Sequence, residues 1–255
     1  MGVVNVTPDS FSDGSAFATP QAGVAHARRL IGEGADLIDI GGESTRPGSG
    51  GVTLDEERRR VLPVLEKLAG GTVPVSVDTQ KPELMRDAIA AGAAMINDIN
   101  ALQAPLAVEA VASSAAGICL MHKKGTPADM QTDPRYDDVV GEVLAFLKAR
   151  VAAVRAAGVS MDRIVVDPGF GFGKTLEHNL ELLRCLARLS ETGAVVMAGI
   201  SRKSMLGRIT GRGVDSRVPA SVAAALIAVE NGARIVRVHD VAATRDALAV
   251  LNAVR

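Results

Sequence analysis

Eight short runs rich in Val, Ile, Leu, Met and Ala punctuate this chain, and each gives way to polar residues. The runs cover residues 2–6, 36–41, 74–78, 95–99, 117–121, 163–167, 194–199 and 234–239. Polar residues stand at or beside their C-terminal ends: Asn5, Asp39, Asp78, Asn97, His122, Asp167, Ser201 and His239. Runs this short and this apolar predict strands buried on both faces. Between them, at 21–32, 54–68, 82–91, 138–157, 177–189 and 220–231, the pattern is that of amphipathic helices, several of them ending at glycine. Strand and helix alternating eight times predict an α/β fold, a single (β/α)8 TIM barrel spanning 1–255, with parallel strands and an active site at their C-terminal ends. The eight polar endings would then converge on one mouth. Three long irregular stretches, 7–19, 42–53 and 123–137, read as functional loops.

Composition narrows the function. The length of 255 residues matches one barrel of about 250. A net charge of -1, with both signs interspersed, excludes any bulk attraction to nucleic acid or to an anionic membrane. The longest apolar stretch, 222–229, falls far short of the roughly 20 residues that span a bilayer, and no leader pattern precedes the first strand, so a soluble cytoplasmic protein is expected. Cys119 and Cys185 lack CxxC spacing and read as reduced packing residues. Four scattered histidines make no zinc set. Of these, His26 and His178 read as surface residues, and His122 reads equally as packing or as site. A metal, where one is used, should be Mg²⁺ held by few protein oxygens and by ligand phosphates.

The loops carry the chemistry. Asn5, followed by Asp9, Phe11 and Asp13, offers oxygen ligands to a hard cation and an apolar face to a flat substrate; the plainer reading is a turn-rich surface loop. The segment 41–48, Gly-Gly-Glu-Ser-Thr-Arg-Pro-Gly, combines close backbone approach with the planar fork of Arg46, so an anion is the natural guest. Residues 167–175 resemble a phosphate loop, yet Pro168 stands where its first glycine belongs, which argues against nucleotide triphosphate binding. Asp167 instead offers two acceptors to an edge with paired N–H donors, such as an aminopyrimidine, and Asn97 adds a donor and an acceptor. Phe11, Phe170 and Phe172 fall in these polar loops, where they would either stack on a planar ligand or close the barrel. Ser201-Arg-Lys-Ser204 follows the seventh run; Arg237 and His239 alternate on the eighth and so face one way. Loops after the seventh and eighth strands commonly bind phosphate.

Taken in order, Asn5-Val-Thr-Pro-Asp-Ser-Phe11, residues 38–48, Asp78-Thr79, Asn97-Asp98, Met121-His122, residues 167–175, Ser201-Arg-Lys-Ser204 and residues 237–241 resemble the motif series of the bacterial dihydropteroate synthases, a pterin-binding family. The resemblance runs from the first strand to the last helix. It implies a folate-pathway transferase that joins the pyrophosphate ester of 6-hydroxymethyl-7,8-dihydropterin to para-aminobenzoate. By the same resemblance, Asp78, Asn97, Asp167 and Lys203 line the pterin slot, with Arg237 against the ring face; Phe172 is expected among the substrate-binding residues. Asn5, Arg237 and His239 would hold pyrophosphate, Asn5 also touching Mg²⁺. Phe11, Asp13, Thr45, Arg46 and Pro47 would complete a second pocket, with Ser204 meeting the aminobenzoate carboxylate. Catalytic weight is expected on Asn5, Asp13, Arg46, Lys203, Arg237 and His239. Sulfonamides as competitors and a homodimer are further implications. The chain departs from the family at Ser15, where a second glycine is common, and at Lys123, where methionine or a similar residue is usual. Three other readings stay open: a folate-to-corrinoid methyl transferase, a non-catalytic pterin-binding paralogue, and a Schiff-base aldolase using Lys174 or Lys203.

Overall fold

The computed structural model describes residues 1–7, 19–44, 50–126 and 129–255. Its strands are β1 (Gly2–Asn5), β2 (Ile38–Gly41), β3 (Val75–Asp78), β4 (Met95–Asp98), β5 (Gly117–Met121), β6 (Ile164–Asp167), β7 (Val195–Ala198) and β8 (Ile235–Val236). Each pairs in parallel with the next, so spatial order equals chain order. Gly2 bridges Val238 in parallel, the Val3 N–H donates to the Val238 carbonyl at 3.0 Å, and the Val238 N–H donates to that of Met1 at 2.9 Å. Those bonds join the last strand to the first, and the expected barrel is present. Regular pairing in β8 is shorter than the apolar run 234–239, but Arg237 still donates its N–H to the Ala198 carbonyl at 3.0 Å.

The helices are α1 (Pro20–Gly32), α2 (Leu54–Leu68), α3 (Pro82–Ala90), α4 (Ala107–Ala112), α5 (Val139–Ala156), α6 (Leu176–Arg184), α7 (Ser204–Thr210), α8 (Val218–Glu230) and α9 (Val241–Ala253). Local chemistry starts several of them. Thr19 caps α1 ahead of Pro20, Thr53 caps α2, and Asp138 caps α5. Thr175 and His178 form a reciprocal capping box on α6. The helix expected over 177–189 ends earlier, at Arg184, and a 3-10 segment, Leu186–Thr192, follows. Leu186, Leu189 and Thr192 are all buried, a three-residue spacing that suits the tighter winding.

Strand alternation divides the core in two. Val4, Ile38, Ile40, Val77, Ile96, Leu120 and Val166 face outward and pack with the helices in the main apolar cluster. Met1, Met95, Cys119, Val165 and Met197 form a second, smaller cluster, against which Leu37 and Ile235 pack. Their parity places them inside the barrel, filling its lower end. Truncating a fully buried side chain such as Ile40 to alanine would cost about 2–5 kcal/mol.

Candidate active site

Above that apolar floor the inward positions turn polar. Arg237, just beyond β8, donates from Nε to Asp39 Oδ2 at 2.6 Å and from Nη2 to Asp78 Oδ2 at 3.0 Å. Asn97 on β4 donates from Nδ2 to the same Asp39 oxygen at 3.1 Å. Asp39 is wholly buried, and its Oδ1 and the Oγ of Ser76, its register neighbour on β3, accept no protein hydrogen bond. Burial raises the Asp78 pKa, the charge of Arg237 opposes this, and Asp39 adds to it. Burial likewise works against charge on Arg237, but Asp39 and Asp78 more than offset it, so the guanidinium stays protonated.

Asp167 closes β6 and is 4% exposed, so its carboxylate belongs to the interior. Burial lifts its pKa, while Lys203 and the Gly169 N–H, which donates to Oδ1 at 2.7 Å, pull the other way. Lys203, next to α7, is half-buried; desolvation lowers its pKa to about 8 against the stabilising pull of Asp167. Its Nζ donates to the Phe170 carbonyl and lies 4.7 Å from the Phe172 ring centroid. Phe170 is fully buried in the main apolar cluster, whereas Phe172 keeps partial exposure.

The loop 167–175 folds around a lysine. Lys174 is 3% exposed and its Nζ donates to the carbonyls of Gly169 and Phe172, each at 3.0 Å, and pairs with His122 Nδ1 at 2.9 Å. Desolvation lowers its pKa to about 7. His122 packs edge-on against Phe146, and burial followed by the Lys174 charge depresses its pKa to about 3, leaving a neutral imidazole. Gly169 has φ 69°, and a carbon added there would stand 1.8 Å from the His122 carbonyl oxygen, so only glycine fits. Tyr136 from the β5 loop donates its hydroxyl to the Gly173 carbonyl at 2.9 Å.

Beyond β7 and β8, His239 Nδ1 lies 3.0 Å from Ser201 Oγ, and Arg202 forms a two-point pair with Asp240 at 2.6 and 3.0 Å. Ser204 is exposed at the first position of α7. Two glycines show how the strand ends converge. A carbon added at Gly199 would lie 3.7 Å from Asp167 Oδ2 and 3.8 Å from Arg237 Cβ; one added at Gly41 would lie 3.6 Å from Asp78 Cβ and 3.7 Å from Asn5 Oδ1. The missing side chains leave room between these pairs.

The structure therefore brings together Asn5, Asp78, Asn97, Asp167, Phe172, Lys203, Arg237 and His239 at the strand C-termini. Phe11, Asp13, Thr45, Arg46 and Pro47 lie outside the described residues, as does Ser15. His26 and His178 are half-buried rather than surface residues: His26 Nε2 reaches the Val3 carbonyl at 3.3 Å, and His178 caps α6. Among the described residues there is no group of three or more His, Cys, Asp or Glu able to hold a metal. Asn5 Oδ1 and Asp78 Oδ2, both hard oxygens, border Gly41, 3.7 and 3.9 Å from a carbon added there. Sequence reasoning placed Asp39 among the polar residues converging on the mouth but gave it no role; it sits inside β2, on the same face as Gly41.

A family model described as pterin binding enzyme matches residues 1–239. The dihydropteroate synthase of Neisseria meningitidis serogroup C is 54% identical over 97% of this chain and 89% of its own length. Xanthomonas albilineans dihydropteroate synthase with 4-aminobenzoic acid superposes with a TM-score of 0.93 at 54% identity, covering 100% of this chain and 92% of that one. The same enzyme in complex with 7,8-dihydropteroate gives 0.90 at 52% identity, with the same coverage of 100% and 92%.

Proposed function

The chain belongs to the dihydropteroate synthase family of pterin-binding enzymes, and we propose that its barrel mouth carries out the family reaction with the residues assembled there. The activity is a transfer: the pyrophosphate ester of 6-hydroxymethyl-7,8-dihydropterin and para-aminobenzoate give 7,8-dihydropteroate and pyrophosphate. The observation that carries the residue assignment is that Asp167 Oδ2 and Arg237 Cβ flank Gly199, 3.7 and 3.8 Å from a carbon added there, with the charges of Lys203 and Arg237 both acting on Asp167. A flat heterocycle with adjacent N–H donors fits between them, its polar edge on Asp167 and Asn97 and its face against Arg237.

The reaction breaks the bond between the pterin methylene carbon and the pyrophosphate oxygen and forms one to the arylamine nitrogen. The electron-rich pterin supports positive charge at that carbon as pyrophosphate departs. Arg237 and His239 stabilise the leaving oxygens, and Asn5 would hold Mg²⁺, which supplies further charge neutralisation at the pyrophosphate when bound. The arylamine is already a neutral nucleophile, so positioning replaces a strong base. Ser204 would meet the aminobenzoate carboxylate, and Phe11, Asp13, Thr45, Arg46 and Pro47 would complete its pocket. Sulfonamides, which mimic para-aminobenzoate, are expected competitors. Family resemblance supports a homodimer and a cytoplasmic setting; no helix among the described residues is long and apolar enough to cross a membrane.

The burial of Lys174 and the contacts of its Nζ with the Gly169 and Phe172 carbonyls and with His122 weigh against the aldolase reading. The decisive assay is pyrophosphate release from the pterin ester with and without para-aminobenzoate. Release that depends on the arylamine and yields dihydropteroate is expected; release without coupling, or none, would overturn the assignment.

A further inference from the structure

Asp39 is wholly buried on β2, two residues before Gly41, and one of its oxygens receives both the Nε–H of Arg237 and the Nδ2–H of Asn97, at 2.6 and 3.1 Å. We propose that Asp39 is a positioning residue for pterin recognition, acting through Asn97 and Arg237 without touching the substrate. The inference rests on the reading of those two residues as pterin contacts.

The argument begins with the amide. Asn97 can present either its nitrogen or its oxygen to a neighbour, and the two faces have opposite hydrogen-bonding sense. The Asp39 oxygen that accepts from Arg237 Nε also accepts from Asn97 Nδ2, so it admits the amide nitrogen and rejects the oxygen. The Asn97 Oδ1 and its second N–H are then left in a fixed sense for another partner. Without Asp39 both orientations would be open, and a ligand that fits only one would bind at the expense of the other. Arg237 is constrained in the same way. Asp39 on β2 takes Nε and Asp78 on β3 takes Nη2, so two carboxylates on neighbouring strands fix the guanidinium and leave Nη1 and the flat face for a ligand. Asp78 alone would leave rotation about a single bond. One buried acceptor thus orders a hydrogen-bonding edge and a stacking face at once.

The test compares Asp39→Ala and Asp39→Asn with the parent chain, using calorimetric binding of the bare pterin and steady-state kinetics at saturating pterin ester. Asp39→Ala should weaken pterin binding about tenfold or more while leaving KM for para-aminobenzoate unchanged. Asp39→Asn keeps one acceptor oxygen of the same size and should recover part of that loss. In an Asn97→Ala background, Asp39→Ala should cost clearly less than it does alone, because one of its two routes to the ligand is gone. Pterin affinity equal to that of the parent in folded Asp39→Ala, or fully additive losses in the double variant, would overturn the positioning role. Should Asp39→Ala not fold, Asp39→Asn decides: parental pterin affinity and parental response to Asn97→Ala would sink the idea. Failure of the parent chain itself to bind pterin would instead overturn the function on which the inference rests.

Discussion

Lys174 Nζ lies 2.9 Å from His122 Nδ1, tying the loop after β6 to the end of β5. The same ammonium satisfies the carbonyls of Gly169 and Phe172, so it serves as the internal ligand of its own loop. Lys174→Met should therefore leave buried acceptors unpaired and destabilise the fold by about 2–5 kcal/mol. Denaturant unfolding measures this. Borohydride with a carbonyl substrate should leave Lys174 unlabelled, and a trapped adduct there would show that the loop opens far more than these bonds allow.

The neutral His122 imposes a pH dependence. In the unfolded chain the ring takes up a proton near its ordinary value of 6.5, whereas in the fold it waits until about 3. Between those values the unfolded state binds more protons, so the contribution of this group to stability falls as pH falls, by up to about 1.4 kcal/mol per pH unit. His122→Gln keeps an acceptor for Lys174 and removes the titration. Its stability should decline less steeply than the parent's from pH 6.5 downward; parallel curves would show that His122 does not titrate abnormally.

Backbone geometry gives a sharper case. Gly169→Ala must place a carbon 1.8 Å from the His122 carbonyl oxygen at φ 69°. The loop has to move, at a cost of about 2 kcal/mol or more, carrying Asp167 and Phe172 with it. Pterin affinity and thermal stability should fall together, and a variant with parental values for both would contradict the loop geometry.

Asp167→Asn exchanges one acceptor for a donor and faces a pterin edge with like groups. Leaving one buried group unpaired costs about 1–3 kcal/mol, so pterin affinity should fall about tenfold or further. Calorimetry showing unchanged binding would remove Asp167 from the edge-reading role.

Ordered binding is expected from the Gly- and Ser-containing loops of the sequence. Confining such backbone costs roughly 1–2 kcal/mol per residue, and pyrophosphate with Mg²⁺ supplies charge-assisted bonds to offset it. A para-aminobenzoate analogue should bind weakly alone and much more tightly with pterin, pyrophosphate and Mg²⁺ present. Arg46→Ala should abolish that enhancement and leave bare pterin binding largely intact. Equal affinity of the analogue with and without pyrophosphate would reject the order.

The barrel and most of its mouth were legible because strand alternation is a local signal: a polar residue closing an apolar run announces both its strand and its end. Asp39 carried the same signal, but its meaning lies in Arg237, 198 residues away, and no local pattern encodes that contact. Lys174 looked like a phosphate-loop lysine; its true partner His122 stands 52 residues earlier. Phe170 and Phe172 are two positions apart in one motif. The positive φ of Gly169, Gly171 and Gly173, 69°, 80° and 64°, turns the loop so that Phe170 is buried in the main apolar cluster and Phe172 keeps partial exposure.

Among the described residues, the apolar floor of Met1, Met95, Cys119, Val165 and Met197 fills the lower end of the barrel. Whatever lies deepest enters first and leaves last. A ligand seated on Asp167 and Asn97 would find that floor beneath it among the described residues, so a second molecule bound above it would act as a stopper and lengthen its residence. Inhibitors of the two halves should accordingly reinforce each other kinetically, the upper one slowing escape of the lower, even where they share no contact.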